Sequence, residues 1–165
     1  MSTPVALACA CLLISSGCHN PKLAMTQLQV RQMQTRLYEM AEPKRAVKAV
    51  LDVLQDEGFI PREVNAEIGF VYAVREVDIE DSGERFWANF WHGRRDARWK
   101  KNSIIECAAN ITKRQRNVRV RLSFQIKVLD NNGHVLSVDT VNEPRFYQDF
   151  FSRVDKGLFI EKEGV

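Results

Sequence analysis

The sequence predicts a two-layer α+β domain: a mostly antiparallel sheet of about five strands covered by two amphipathic helices. Three observations lead there. Residues 43–57 carry one apolar stripe at helical spacing, residues 144–158 carry a second and more aromatic one, and several segments between them alternate apolar and polar residues with a period of two. A helix with one apolar stripe must bury it against another layer, and strands joined by short turns pair antiparallel.

The elements follow in chain order. In VRQMQTRLYE, Met33, Thr35 and Leu37 alternate with Gln34, Arg36 and Tyr38, which predicts a first strand. EPKRAVKAVLDVLQDEGF is the clearest helix: Val47, Val50, Leu51 and Leu54 fall on one side, Pro43 suits the first helical position, and Gly58 suits the left-handed position after the last turn. EIGFVYAVREVDI predicts the next strand, with Ile68, Phe70, Tyr72 and Val74 on one side. Residues 103–113 and 117–129 predict a strand pair. In the second, Val118, Val120, Leu122, Phe124, Ile126 and Val128 point one way, while Arg119, Arg121, Ser123, Gln125 and Lys127 form a wet, basic outer face. DNNG at 130–133 is a hairpin turn into HVLSVDTV. Tyr147, Phe150, Phe151, Val154 and Leu158 then give the closing helix its core stripe.

The chain of 165 residues is 45% hydrophobic and 27% charged, which fits one globular domain with a short extra segment. Its net charge of +3 is too small to imply nucleic acid. The charge is concentrated in RFWANFWHGRRDARWKK, residues 85–101, which holds six basic residues against Asp96 and all of Trp87, Trp91 and Trp99. Asp81 and Glu84 are spaced as a capping box before it. Phe86, Trp87, Phe90 and Trp91 then suit two helical turns with an aromatic face, ended by Gly93, before a basic loop. Such an insert at 82–102 can pack its rings over the sheet with its arginines solvated, or dip into a membrane interface, or form a Trp/Arg protein contact. The candidate interaction patch is Trp87, Trp91, Arg94, Arg95, Arg98 and Trp99, joined by Arg119 and Arg121 on the outer strand face.

The N-terminus, MSTPVALACACLLISSGCHNPK, has no charge from Met1 to Gly17 and an apolar run from Val5 to Ile14. That run is short of the ~20 residues of a membrane-spanning helix and suits the core of a secretory signal. Ser15, Ser16, Gly17 and Cys18 follow, and the whole resembles a bacterial lipoprotein signal, though with no Lys or Arg before the run and with Ser15 three places before the cysteine. The resemblance implies a signal peptide over 1–17, a lipidated Cys18, a tether over 18–29 and a single domain over 30–162. His19 after the cysteine, where that family has Asp for inner-membrane retention, implies an outer-membrane lipoprotein facing the periplasm. The partner so implied is the lipid bilayer, reached through lipidated Cys18; no nucleic acid is expected of an exported chain. Cys9 and Cys11 leave with the leader, so Cys107 in IIECAANI remains alone as a buried small hydrophobe.

The helix AVKAVLDVLQDEGF running into EIGFVYAVRE, and the ending FYQDFFSRVDKGLF, resemble small uncharacterised bacterial envelope lipoproteins. The strand–helix–strand order is similar to the helix-grip domains of a lipoprotein component of the outer-membrane β-barrel assembly machinery. The resemblance implies an envelope location and a possible envelope protein partner, and supplies no catalytic residues. The residues agree. His19, His92 and His134 stand apart, with no metal-ligand spacing, no C-x-x-C, no nucleophile elbow and no phosphate loop. Asp149 and Asp155 lie on the terminal helix as a solvated face. No catalytic residue, metal or cofactor is expected. The expected function is a lipid-anchored, non-enzymatic interaction or accessory module; the alternative is a periplasmic carrier of a small apolar ligand or lipid between helix and sheet.

Overall fold

A computed structural model describes residues 25–39, 42–77, 103–130 and 132–163. The order is α1 (Gln27–Met33), β1 (Thr35–Tyr38), α2 (Pro43–Asp56), β2 (Ile60–Asn65), β3 (Phe70–Val77), β4 (Ser103–Arg114), β5 (Asn117–Leu129), β6 (Val135–Thr140) and α3 (Pro144–Glu163). The six strands form one antiparallel sheet in the order β1-β5-β4-β3-β2. β6 joins β1 along the same side of β5: β1 takes Val118–Arg121 and β6 takes Gln125–Leu129. α2 leaves the β1 edge and delivers the chain to β2 at the opposite edge, so it crosses the sheet. α3 packs beside it, and a Cβ on Gly157 would stand 3.8 Å from that of Ala49, an ordinary contact at the helix crossing.

The core lies between these helices and one face of the sheet. Leu54 and Val50 of α2, Val71 of β3, Ile105 of β4 and Leu122 of β5 have no exposed surface. Phe124 is the centre of an edge-to-face cluster, with ring centroids at 4.9 Å from Phe146, 5.2 Å from Phe150, 5.9 Å from Tyr147 and 6.0 Å from Phe59. Cys107 is fully buried and burial pushes its thiol well above the usual range, which keeps it a small hydrophobe rather than a nucleophile.

Phe124 also sits at the gap in the β5 edge where β1 has ended and β6 has not begun. Three hydrogen bonds close that gap. Leu122 N donates to Gln34 O at 2.9 Å, Val141 N donates to Phe124 O at 2.9 Å, and Phe124 N donates to the Tyr147 hydroxyl at 3.4 Å. The same hydroxyl accepts from Gln34 Nε2 at 3.3 Å and donates to Val141 O at 2.9 Å. One phenol from α3 thereby serves both strand ends.

The end of α2 is a second polar junction. Gly58, at φ +77°, lets Gly58 N donate to Gln55 O and Phe59 N to Leu54 O, both at 2.9 Å. Glu57 is buried; its carboxylate pairs with Arg153 of α3, and its carbonyl accepts from Arg75 Nη1 of β3 at 2.5 Å.

The architecture agrees with the sequence reading, with a third short helix and a sixth strand added. The reading of 18–29 as tether is corrected at its end: Thr26 and Gln29 form a capping box that starts α1 at Gln27, and the first strand is confined to Thr35–Tyr38. The single strand read over EIGFVYAVREVDI is also corrected. Ile68 and Gly69 lie in a turn, β3 begins at Phe70, and β2 precedes it. β2 escapes the alternation test because it is an almost wholly exposed edge strand containing Pro61 and a bulge between Pro61 and Glu63.

Candidate interaction surface

Successive side chains of a strand point to opposite faces, so the positions between the core residues build a second face on which none of the described helices packs. The pairing registers place rows across it. Ile60 lies opposite Val74, which lies opposite Glu106, which lies opposite Gln125 and then Thr140. Asn65, Phe70, Asn110, Arg121 and Thr35 make a row nearer the β4–β5 turn, and Thr112, Arg119 and Leu37 the next.

The centre of this face is neutralised internally. Lys127 Nζ stands 2.6 Å from Glu106 Oε1, both side chains being largely shielded. That hydrogen bond holds the Lys127 ammonium above its ordinary pKa. Desolvation, then the hydrogen bond to Glu106, also raises the Tyr72 hydroxyl.

Toward the β4–β5 turn the described residues offer no such compensation. Arg119 and Arg121, the two described members of the predicted patch, are half-buried, and the residues directly opposite them are Thr112, Asn110, Leu37 and Thr35, all uncharged. Among the described residues neither has an ion-pair partner, and Arg119 Nε is buried without an acceptor. Lys113, Arg114 and Arg116 add three exposed cations in and beside the turn itself. Strand alternation selects only Arg119 and Arg121; the extra three were visible as charge density, since KRQRNVRVR at 113–121 holds five basic residues and no acid.

Trp87, Trp91, Arg94, Arg95, Arg98 and Trp99, the insert at 82–102, Cys18 and the leader lie outside the described residues. Asp155 departs from a purely solvated role: it pairs with Arg36 at 2.7 Å, and that guanidinium lies 5.2 Å from the centroid of the Phe151 ring, whereas Asp149 is exposed. Burial, then the Asp155 carboxylate, pushes the adjacent Tyr38 hydroxyl far above its usual range. Among the described residues, no group of three or more His, Cys, Asp or Glu could hold a metal ion, and no helix is long and apolar enough to cross a membrane.

No protein family matches this chain, and no curated protein does. Among solved structures, the chain is similar to a crystal structure of a DUF4468 family protein from Bacteroides ovatus ATCC 8483, with a TM-score of 0.39 and 9% sequence identity over 75% of this chain and 84% of that one.

Proposed function

We propose that this chain is a non-enzymatic docking module of the bacterial envelope, anchored by a lipid on Cys18, with the sheet face on which none of the described helices packs as the contact surface. The observation that carries the reading is the asymmetry of the sheet. One face is sealed by interlocked aromatic rings, and the other presents half-buried arginines opposite uncharged residues. Arginines partly withdrawn from water and without a carboxylate partner among the described residues are the groups that gain most from acceptors on a partner. The rings of Phe124, Phe146, Tyr147 and Phe150 fill the space between helix and sheet where a carrier would hold its ligand, which weighs against the carrier reading. Tyr72, Glu106 and Lys127, at the centre of the open face, are engaged with one another rather than poised around a vacant reacting centre.

Two measurements test this. Wild type labelled with palmitate should pellet with membranes carrying the label, and Cys18→Ser should be unlabelled and soluble in the periplasm; no label on either refutes the anchor. A photocrosslinking residue at Ser123, on the open face, should give a discrete adduct in the envelope that the same residue at Gln148, on the exposed side of α3, does not give. Equal patterns at the two sites would refute the assignment of the surface.

A further inference from the structure

One end of the sheet carries a feature that protein docking on the open face leaves unused. The β4–β5 turn and the β2–β3 turn lie side by side there, since Ile111 N donates to Gly69 O at 2.7 Å and Phe70 pairs with Asn110. The first turn exposes Lys113, Arg114 and Arg116. The second exposes Ile68, with 68% of its surface in water, and on the other flank β1 exposes Leu37 at 60%. Leu37 lies directly opposite Arg119. Of the carboxylates near this end, Glu67 is taken by Lys44 at 2.6 Å, and Glu39 follows β1. Among the described residues Lys113, Arg114 and Arg116 have no ion-pair partner.

We infer that this rim docks on an anionic lipid bilayer, its cations meeting the headgroups while Ile68 and Leu37 enter the interface. Charge complementarity requires an anionic partner, because five basic residues fall within 113–121 with no acid among them. The flanking aliphatics suit a bilayer better than a soluble polyanion: Ile68 and Leu37 stand exposed on either side of the basic turn, and an interface accepts apolar and cationic side chains together. The inference rests on the envelope reading, in which Cys18 tethers the chain to a membrane. The seven residues from Cys18 to Ala24 reach at most about 25 Å even when fully extended, so a lipid on Cys18 would hold the domain near that surface at high effective concentration.

The test uses the mature chain from residue 18 onward with Cys18→Ser, so that the rim is read without a lipid or the apolar leader, against phosphatidylcholine vesicles with and without phosphatidylglycerol at about 30 mol %. Binding should need the anionic lipid and should fall steeply as salt rises from about 50 to about 300 mM. K113Q/R114Q/R116Q, all at exposed positions, should bind about 100-fold more weakly, on the order of fivefold per charge, with an unchanged circular dichroism spectrum. Ile68→Ser should weaken binding about tenfold while keeping the salt dependence. Equal binding to neutral vesicles, no binding to either, or an unaltered affinity in the triple variant would overturn the inference. Affinity for polyglutamate matching that for vesicles and indifferent to Ile68→Ser would overturn it in favour of an acidic protein. Palmitate labelling separates the two ideas: label without vesicle binding removes the rim and leaves the anchor, and vesicle binding without label does the reverse.

Discussion

Tyr147→Phe removes one oxygen atom and tests how the sheet edge is held together. The ring stays, so the edge-to-face contacts with Phe124 and Phe146 at 5.9 and 5.4 Å are retained and no cavity larger than a hydroxyl opens. Val141 O loses its donor at 2.9 Å, and Phe124 N and Gln34 Nε2 lose the acceptor they approach at 3.4 and 3.3 Å. Tyr147, Phe124 and Gln34 are all 3% exposed or less, so water cannot readily replace the phenol. A buried polar group left unsatisfied costs about 1–3 kcal/mol. The first bond is short and the other two are long, so the loss should approach one full penalty plus two fractional ones, about 2–3 kcal/mol. For a domain of this size that is a fall in Tm of roughly 6–12 °C. Urea and thermal unfolding followed by far-ultraviolet circular dichroism read it directly. A loss below about 0.5 kcal/mol would refute the idea that this hydroxyl bridges the ends of β1 and β6, since that is the range of an ordinary surface substitution.

Three further outcomes are expected. Burial pushes the Tyr147 hydroxyl up to about 12 from an unfolded value near 10; the folded pKa is the higher, so its stabilisation is whole below about pH 10 and is lost as pH rises toward 12. The stability gap between wild type and Tyr147→Phe, measured by urea unfolding, should therefore be constant from pH 7 to about 9 and close by about pH 12; a gap unchanged at the alkaline end counts against the assignment. Gly69→Ala should destabilise by more than about 3 kcal/mol or prevent folding, because a Cβ at φ +69° would stand 1.9 Å from Ile111 O, whereas Gly133→Ala, at φ +82° with nothing within 4 Å, should cost only about 1 kcal/mol; equal effects would refute the close approach of the β2–β3 turn to β4. Arg153→Met leaves the carboxylate of buried Glu57 without its ion-pair partner and should cost about 3 kcal/mol in chemical denaturation, most of it recovered in the Glu57→Leu/Arg153→Met double variant; a double variant no better than the single one would show that the pair, not the orphaned charge, carries the energy.

What the sequence made legible depended on how one-sided each element is. α2 and β5 are half buried along their whole lengths, so their periodicities of 3.6 and 2 are written plainly in Val47, Val50 and Leu54 and in the run from Val118 to Val128. β2 is exposed at nearly every position, so burial imposes no alternation on it, and Pro61 disguises it further. Its existence comes from pairing with β3, which is a tertiary fact. In β1 the apolar Leu37 faces out while Arg36 and Tyr38 face the helices, because Asp155 and Phe151 of α3 supply partners for a guanidinium on the inner side. No local pattern can announce a partner more than a hundred residues away. The same limit applies to the open face: alternation showed that Arg119 and Arg121 point away from the core, but only the register shows that uncharged residues stand opposite both.

That register also explains why the two ends of the open face differ in what they can bind. Near β6, Lys127 has Glu106 within 2.6 Å, so an incoming acidic group would have to displace an existing acceptor and would gain little. Near the β4–β5 turn Arg119 and Arg121 have no such acceptor among the described residues, and Lys113, Arg114 and Arg116 beyond them are exposed to water. Exposed cations contribute mainly long-range attraction, which salt screens over a distance of about 8–10 Å. Half-buried arginines contribute short-range hydrogen bonds that salt weakens less. Neutralising Arg121 and neutralising Arg116 should therefore separate in a salt titration of any anionic partner. Loss of Arg116 should matter chiefly at low ionic strength, whereas loss of Arg121 should persist at high. Two parallel salt curves would mean that the surface acts only as a diffuse field and that its arrangement on the sheet is incidental.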